Sequence, residues 1–222
     1  MVTYYDGFEF DNGVYVEFSD FKNNQPIPVT HIISTLDIRD DDYLDQVLSY
    51  DSVTFFDKNF DEVTMAVKDL WGYCQNGRVY IGFGEEKSFD NPEFFDFYPL
   101  LNVGAYSYFS AQEAYYRTMN AGPQMGMGIG MGMRDPMMMN DMTVTESGRV
   151  QLLLEFDTGR VFLVGRGDLK TPPIALVDGI LAKDSQLQSE FRRLSSKEQK
   201  QKGMFFIRRF NDRNPIRVPV FR

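Results

Sequence analysis

Two turn sequences, each flanked by apolar and aromatic residues, constrain the fold of this chain more than any other feature. Asn76-Gly77 suits the positive backbone dihedrals of a tight hairpin turn, and the turn at 157–159 (DTG) also ends in a glycine. The strands predicted around these turns are 68–74 with 78–83, and 150–156 with 160–164. The sequence therefore predicts at least two antiparallel hairpins.

Further β-branched and aromatic segments extend this pattern along the chain. Strands are predicted near 14–18, across 29–36 and from 98 through 109, with 19–28 as a turn or irregular link. Tyr106 and Tyr108 fall on one side of a period-2 pattern, as in a half-buried strand. Residues 111–119 are compatible with a short helix or with more strand.

The pattern becomes helical in the C-terminal part of the chain. Leu187, Phe191 and Leu194 recur at spacings of four and three, the period of an amphipathic helix. Asp184 or Ser185 is the expected N-cap, because both side chains accept hydrogen bonds from a first helical turn. An amphipathic helix is therefore predicted to begin near residue 185.

The helical pattern persists beyond this point. The polar stretch 195–202 is expected to continue as exposed helix, Gly203 to interrupt it, and 204–207 to provide another apolar face. Residues 214–215 (NP) stop the helix, and 216–221 is expected to form a last strand or docking tail. These patterns together predict an α+β fold, predominantly antiparallel β-sheet with a C-terminal amphipathic helical segment.

Length and composition are compatible with one β-rich domain or with two small ones, and we favour one. The chain has 222 residues, of which 43% are hydrophobic and 15% aromatic, and this is enough to close a substantial core. We predict a single domain over 1–222, with a Met/Gly-rich low-complexity insertion at 119–142 and a basic helical segment at 184–213. No apolar run approaches the roughly 20 residues of a membrane-spanning helix, so no transmembrane segment is expected.

Charge is distributed unevenly along the chain. The formal net charge is −9, but residues 189–222 hold ten Lys and Arg against three acidic residues, a net charge of +7 that leaves −16 for the first 188. A strongly acidic body repels a polyanion, so nucleic-acid binding is not expected. The basic segment is interpreted as a solvated helix face with some complementarity to the acidic body.

The residue types that usually carry catalysis are scarce. Cys74 is the only cysteine and is expected to act as a small buried hydrophobe, while His31 is the only histidine and lies in a predicted strand. The acidic runs 40–42, 61–62 and 85–86 lack the spacing of a calcium loop and are interpreted as solvated turns. No catalytic or cofactor-binding residue is therefore assigned.

Phosphate binding is not expected either. The glycine pairs at 82–84 (GFG) and 165–167 (GRG) lack the third glycine and the following helix that a phosphate-cradling loop needs.

The Met-rich insertion is the one segment whose composition suggests chemistry. It contains nine of the twelve methionines, in part as alternating Met and Gly. Thioether sulfur is a soft ligand that selects Cu(I) or Ag(I), and a flexible backbone lets several sulfurs converge on one ion. The candidate metal ligands are Met125, Met127, Met131 and Met133. The alternatives are a loop that binds nothing and an adaptable apolar contact for a partner or lipid surface.

Four segments resemble uncharacterised proteins of Bacteroidetes bacteria. They are 13–26 (GVYVEFSDFKNNQP), 70–74 (LWGYC), 98–100 (YPL) and 210–216 (FNDRNPI), the last preceded by a polar amphipathic helix. Many proteins of this kind carry a signal peptide, so the resemblance implies an exported or envelope-associated protein of unknown activity. It supplies no active-site residue, and the Met-rich stretch does not belong to it.

Function is therefore expected to be binding rather than catalysis. The first hypothesis is a non-enzymatic binding or structural module of the bacterial cell envelope, with a protein or envelope partner. The second is a soft-metal protein that uses the Met-rich loop, and the third is a hydrolase whose site the sequence does not reveal. A periplasmic or extracellular location is expected, with a signal peptide removed from the chain, and a cytoplasmic location stays open. Nothing in the sequence specifies the oligomeric state.

Overall fold

The fold is described from a computed structural model. It covers residues 1–4, 8–85, 94–119, 142–166 and 171–219. The β-strands are β1 (Val2–Thr3), β2 (Gly13–Tyr15), β3 (Ile27–Pro28), β4 (Ile32–Ile33), β5 (Ser52–Phe56), β6 (Glu62–Ala66), β7 (Gly72–Gln75), β8 (Arg78–Glu85), β9 (Phe94–Pro99), β10 (Tyr106–Met119), β11 (Met142–Glu155), β12 (Val161–Arg166) and β13 (Arg217–Val218). The α-helices are α1 (Phe18–Lys22), α2 (Tyr43–Val47), α3 (Ile174–Leu181), α4 (Ser185–Arg192) and α5 (Ser196–Arg213).

These strands pair only antiparallel in the described ranges, and they form four sheets. The largest has the order β3-β2-β7-β8-β9, two three-stranded sheets have the orders β10-β11-β12 and β4-β5-β6, and β1 pairs with β13. The three longer helices lie between β12 and β13 in the chain. The predicted fold class, α+β with predominantly antiparallel sheet and a C-terminal helical segment, is confirmed.

The five-stranded sheet is buried on both faces because its side chains alternate. Tyr15 and Cys74 point into a cluster that the sheet shares with β10 and β11. Their chain neighbours Val14 and Tyr73 point into a second cluster, shared with α2 and the β4-β5-β6 sheet. Successive strand residues face opposite sides of a sheet, so one strand serves two cores.

The β10-β11-β12 sheet is covered on its other face by the helices. Phe109 and Leu152 belong to the cluster shared with the five-stranded sheet. Tyr106 and Leu153 instead pack against α3, α4 and α5, together with Phe210. Four layers therefore follow one another. They are the helices α3–α5, the β10-β11-β12 sheet, the five-stranded sheet, and the β4-β5-β6 sheet with α2.

Both predicted hairpins are confirmed. Asn76 and Gly77 have φ values of 53° and 72°, the positive values that a two-residue turn between β7 and β8 requires. Gly159 has φ 75° in the turn between β11 and β12. Residues 111–119, open between helix and strand from sequence, belong to β10.

The strand predicted near 14–18 is wrong in its second half. β2 ends at Tyr15, and α1 occupies part of the segment that was predicted to be an irregular link. The Glu17 N–H donates to the Asp20 carboxylate at 3.0 Å at the start of the helix. Phe21 is fully buried and its ring stacks on Trp71 at 4.5 Å, so tertiary packing stabilises this short helix.

The strand predicted across 29–36 is also shorter than expected. Val29–His31 forms a 3₁₀ turn and only Ile32–Ile33 is strand, so His31 does not lie in a strand. A second 3₁₀ turn occupies Val67–Asp69, so the first strand of the hairpin begins at Gly72 rather than at residue 68.

The helical segment is divided differently from the prediction. Asp184 is the N-cap of α4, as expected, and accepts a hydrogen bond from the Leu187 N–H at 3.1 Å. However, α4 ends at Arg192 and a new helix begins after the Ser195 N-cap. Gly203 does not interrupt α5. The lack of a side chain at this position leaves room for Pro172, whose Cγ would lie 2.7 Å from a Cβ there. No helix in the described ranges has the length and apolarity that crossing a membrane requires.

Candidate functional site

Glu155, at the end of β11, is the one buried charged residue among those whose side chains the structure describes, with 8% of its surface exposed. Three donors converge on its carboxylate. The Tyr106 hydroxyl and the Lys183 ammonium donate to Oε1 at 2.7 and 3.1 Å, and the Thr158 hydroxyl donates to Oε2 at 2.6 Å. A buried carboxylate is stable only when it is paired in this way.

Three elements bring this network together. Tyr106 and Glu155 are directly opposite each other in the β10–β11 register, and Thr158 lies in the turn that follows β11. Lys183 follows the end of α3, and its ammonium also lies 5.7 Å from the centre of the Tyr106 ring. The network therefore joins the sheet to the helical layer.

The pKa values reflect these contacts. Burial opposes ionisation of Glu155, but the hydrogen bonds from Thr158, Tyr106 and Lys183 outweigh it and lower its pKa to about 2. Burial, with the hydrogen bond to Glu155, raises the pKa of Tyr106 to about 12. The hydrogen bond to Glu155 also raises the pKa of Lys183 above its usual value. At neutral pH the network thus holds a carboxylate, an ammonium and a neutral phenol.

A cleft of about 450 Å³ opens beside this network, between β10, the end of α3, α5 and β13. Its lining residues are Met1, Lys22, Ala105, Tyr106, Phe156, Asp157, Lys183, Phe210, Asn214, Pro215, Ile216 and Arg217. This volume lies within the range of small-molecule pockets. Three of the lining residues are cationic and one is acidic, in a chain whose net charge is −9.

The cationic side chains differ in how they are held. Lys22 donates to the Asp157 backbone carbonyl at 2.7 Å, and the Lys183 ammonium lies 3.8 Å from the Asp157 carboxylate. Both ammonium groups therefore lie near the same residue. Arg217 is exposed, and its guanidinium has no hydrogen bond or ion pair with the described residues.

The rest of the cleft is an apolar floor with a fixed position. Phe210 on α5 is buried and lies 5.8 Å from the Tyr106 ring. Asn211, the next residue, accepts a hydrogen bond from the Tyr106 N–H at 3.0 Å and donates one to the Tyr106 carbonyl at 2.8 Å. Gly104 allows this contact, because a Cβ there would lie 2.8 Å from the Asn211 side chain. Helix and strand are thus joined through the backbone at the cleft.

A second cleft, of about 480 Å³, has no comparable polar network. Leu48, Ser49, Tyr50, Asp51, Ala66, Val67, Lys68 and Phe95 line it. It contains one cation and one acid, and none of its lining side chains is a buried charged group. We therefore place the candidate site at the first cleft.

The residues singled out from the sequence lie elsewhere. Cys74 is fully buried in the core, as expected, and burial raises the pKa of its thiol to about 12. His31 is half-buried, with its ring 5.6 Å from that of Phe60. Neither lines the cleft.

No cluster of three or more His, Cys, Asp or Glu with metal-binding geometry occurs among the described residues. The four methionines predicted to bind Cu(I) or Ag(I), Met125, Met127, Met131 and Met133, lie outside the described residues. The metal hypothesis therefore remains a prediction.

Sequence reasoning did not identify any residue of the cleft as functional. One local signal exists: Glu155 stands between Leu154 and Phe156, both of which are buried in the core. A charged residue in a buried strand needs a partner, which points to a polar network without identifying its other members. Lys22 and Arg217 give no such signal, since cations are common at the ends of helices and strands.

Chemically, this arrangement places cationic donors beside an aromatic surface, next to a carboxylate that already accepts three hydrogen bonds. Such a surface suits recognition of a ligand more than proton transfer. Comparison of the chain with protein-family models, with curated proteins and with solved structures found no match.

Proposed function

We propose that this protein is a non-enzymatic binding module that takes a small ligand in the cleft beside Glu155. The observation that supports the proposal is that hydrogen bonds hold the cleft wall in position. Tyr106, Glu155 and Lys183 are engaged with one another, and Asn211 fixes the position of the floor. A pocket that is held in shape before the ligand arrives loses less conformational entropy on binding.

The direction of the pKa shifts also favours binding over catalysis. A general acid or base works best with a pKa near the operating pH. Glu155 is shifted down to about 2, while Tyr106 and Cys74 are shifted up to about 12. Every resolved shift of a described group moves it away from neutrality in this manner.

A fragment screen followed by NMR tests the proposal. We expect some fragments to shift backbone resonances of the cleft, and Ala105→Trp to abolish these shifts because the new ring occupies the cleft. Ala175→Trp is the matched control, since Ala175 is exposed on α3 and does not line the cleft. Thermal unfolding of both variants verifies that they are folded. A diverse library that leaves the cleft resonances unchanged would contradict the proposal.

We further propose that the protein acts in the bacterial cell envelope, as a periplasmic or extracellular protein. This location rests on the resemblance carried by segments 13–26, 70–74, 98–100 and 210–216. Expression of the native gene with its upstream codons, followed by fractionation, is the test. Recovery of the protein in the cytoplasmic fraction alone would contradict this location.

Soft-metal binding by the Met-rich segment is the second candidate. β10 and β11 are paired up to Met119 and Met142, so the two ends of the segment start from adjacent positions. Cu(I) titration under reducing conditions tests it, with Met→Leu replacement of the four candidate ligands as the matched variant. An affinity that is micromolar or weaker, or that survives the replacement, would contradict it.

A further inference from the structure

We infer that the ligand of this cleft is a small organic anion, with its oxyanion group held by Lys22, Lys183 and Arg217 and its apolar body on Tyr106 and Phe210. This inference rests on the proposed function and assigns the ligand class for the same site. The argument has three parts: the charge of the lining, the donors that remain free, and the shape of the floor.

The charge of the lining is opposite to that of the chain. The chain as a whole carries 32 acidic residues against 23 Lys and Arg, whereas the cleft has three cations against Asp157 alone. The side chain of Asp157 is 75% exposed and that of Lys183 is 53% exposed, so solvent screens charges of both signs, the acid more strongly. Even when Glu155, beneath the surface, is counted as ionised, the local balance stays positive.

The cationic side chains of the lining keep hydrogen-bond donors free for a ligand. Lys22 gives one hydrogen bond to a backbone carbonyl, which leaves two of its N–H groups for a ligand. Arg217 is not hydrogen-bonded or paired with any described residue, and a guanidinium offers a planar fork of donors that matches a carboxylate or phosphate. Lys183 adds a third cation, an ammonium that is held by its hydrogen bond to Glu155.

A cationic ligand is less favoured at the same place. Both oxygens of Glu155 already accept hydrogen bonds, from Tyr106, Lys183 and Thr158, and Asp157 is the one acidic residue of the lining. A ligand ammonium that pairs with Asp157 would meet the repulsion of the three lining cations. The charge of the lining therefore favours an anion over a cation.

The floor suits a ligand with an apolar part better than an inorganic ion. Phe156, Phe210 and Ile216 line the cleft beside the Tyr106 ring, and each of the three is at most 6% exposed. Burial of apolar area against such a surface contributes roughly 25 cal/mol per Å². The cleft volume of about 450 Å³ suits a body of the size of one aromatic ring with a short chain.

Four probes of matched shape separate the alternatives. They are 3-phenylpropanoate, 3-phenylpropyl phosphate, 3-phenylpropan-1-ol and 3-phenylpropan-1-amine, with inorganic phosphate as a fifth probe without an apolar body. Binding is measured by NMR titration and calorimetry. We expect one or both organic anions to bind at the cleft, at least about tenfold tighter than the alcohol, since charge-assisted hydrogen bonds are roughly twice as strong as neutral ones. The two anions distinguish a carboxylate ligand from a phosphate ligand.

Arg217→Gln is the test variant and Arg193→Gln its matched control. Arg193 is also exposed, lies at the end of α4 and does not line the cleft, so both variants lose one positive charge. We expect Arg217→Gln to weaken the binding of the anion about tenfold and to leave the alcohol unchanged. The Arg193→Gln variant should bind both like the wild type.

The outcomes separate this inference from the proposed function. If the alcohol or the amine binds the cleft as tightly as the anions, the anion assignment is overturned while the binding function stands. Inorganic phosphate that binds as tightly as the phosphate ester would overturn the part assigned to the apolar floor. If no probe binds, the anion assignment is also overturned, and the fragment screen then decides whether the cleft binds other ligands or none. Equal losses in Arg217→Gln and Arg193→Gln would show a general charge effect and would overturn the role of Arg217.

Discussion

The cleft wall and the helix surface contain the same kind of contact in different surroundings. At the wall, Lys183 meets Glu155 at 3.1 Å, and the Glu155 side chain is only 10% exposed. On the helices, Arg192 meets Asp178 at 2.7 Å with two parallel hydrogen bonds, but the two side chains are 60% and 29% exposed. The exposed pair has the better geometry. Burial, rather than distance, determines which pair the fold depends on.

The helix surface also shows where the basic C-terminal segment finds its partners. Arg209 pairs with Glu190 at 2.7 Å and Arg213 with Asp184 at 2.9 Å, so these acids lie on or at the start of α4. Complementarity to the acidic body, the first 188 residues, was expected from the charge asymmetry. Asp184 belongs to that body, whereas Glu190 belongs to the basic segment itself. The helices therefore neutralise part of their own charge. The cations of the cleft are other residues and take no part in these two ion pairs.

The largest effect is expected for Glu155→Ala. The substitution leaves the buried Tyr106 hydroxyl without its acceptor. It also removes the ion-pair partner of Lys183, but the Lys183 side chain is 53% exposed and its ammonium can be hydrated instead. We expect a loss of about 2–3 kcal/mol of unfolding free energy, measured by urea denaturation. A double-mutant cycle with Lys183→Met isolates the Lys183 share. A loss as small as that of an exposed pair would contradict the structural role given to the network.

The next effect is the acid dependence of stability. Because the pKa of Glu155 falls from 4.5 in its ordinary state to about 2 in the folded protein, its contribution is fully present above pH 4.5. It is lost as the pH falls from 4.5 towards 2. A shift of this size is worth about 3 kcal/mol at most, and because the Lys183 side chain is 53% exposed we expect a loss of about 2 kcal/mol. Urea denaturation at a series of pH values should show a smaller acid loss in Glu155→Gln than in the wild type. Parallel pH curves for the two proteins would contradict the lowered pKa.

Asp184→Ala tests a case between the two environments. The Asp184 side chain is 10% exposed, caps the Leu187 N–H and pairs with Arg213. Loss of an N-cap costs about 1 kcal/mol, so we expect an unfolding free energy lower by about that amount. Asp184→Asn is the control, since it keeps a capping oxygen but removes the charge. If both variants lose equally, the ion pair rather than the cap is responsible.

The sequence predicted those parts of the fold that depend on local residues. Both hairpins were found because Gly77 and Gly159 carry the conformational requirement within the turn itself. The helix α1 was missed because its stability comes from Phe21, which is buried against residues far along the chain. The division between α4 and α5 had a local signal, a capping box of Ser195 and Glu198, and the apolar periodicity across it obscured that signal.

The candidate site was not predictable in the same way. Tyr106 and Lys183 reach Glu155 across 49 and 28 residues of sequence, and neither carries a motif. Their meeting depends on the register of β10 with β11 and on the position of α3, which only the assembled layers determine. Apolar periodicity predicts which face of a strand is buried, but it does not predict which polar groups meet at the end of that face.

The smallest effect is expected for Asp178→Asn, and it tests the comparison most directly. The Asp178 side chain accepts two hydrogen bonds from Arg192 at 2.7 Å, and these contacts lower its pKa below the usual range. Solvent screens this exposed pair, so we expect at most about a fifth of the loss caused by Glu155→Ala, and a still smaller difference at high salt. Urea midpoints for both variants at low and high salt provide the measurement. An Asp178→Asn loss equal to that of Glu155→Ala at both salt concentrations would show that geometry outweighs burial in this protein, and the ranking of the two regions would then have to be reversed.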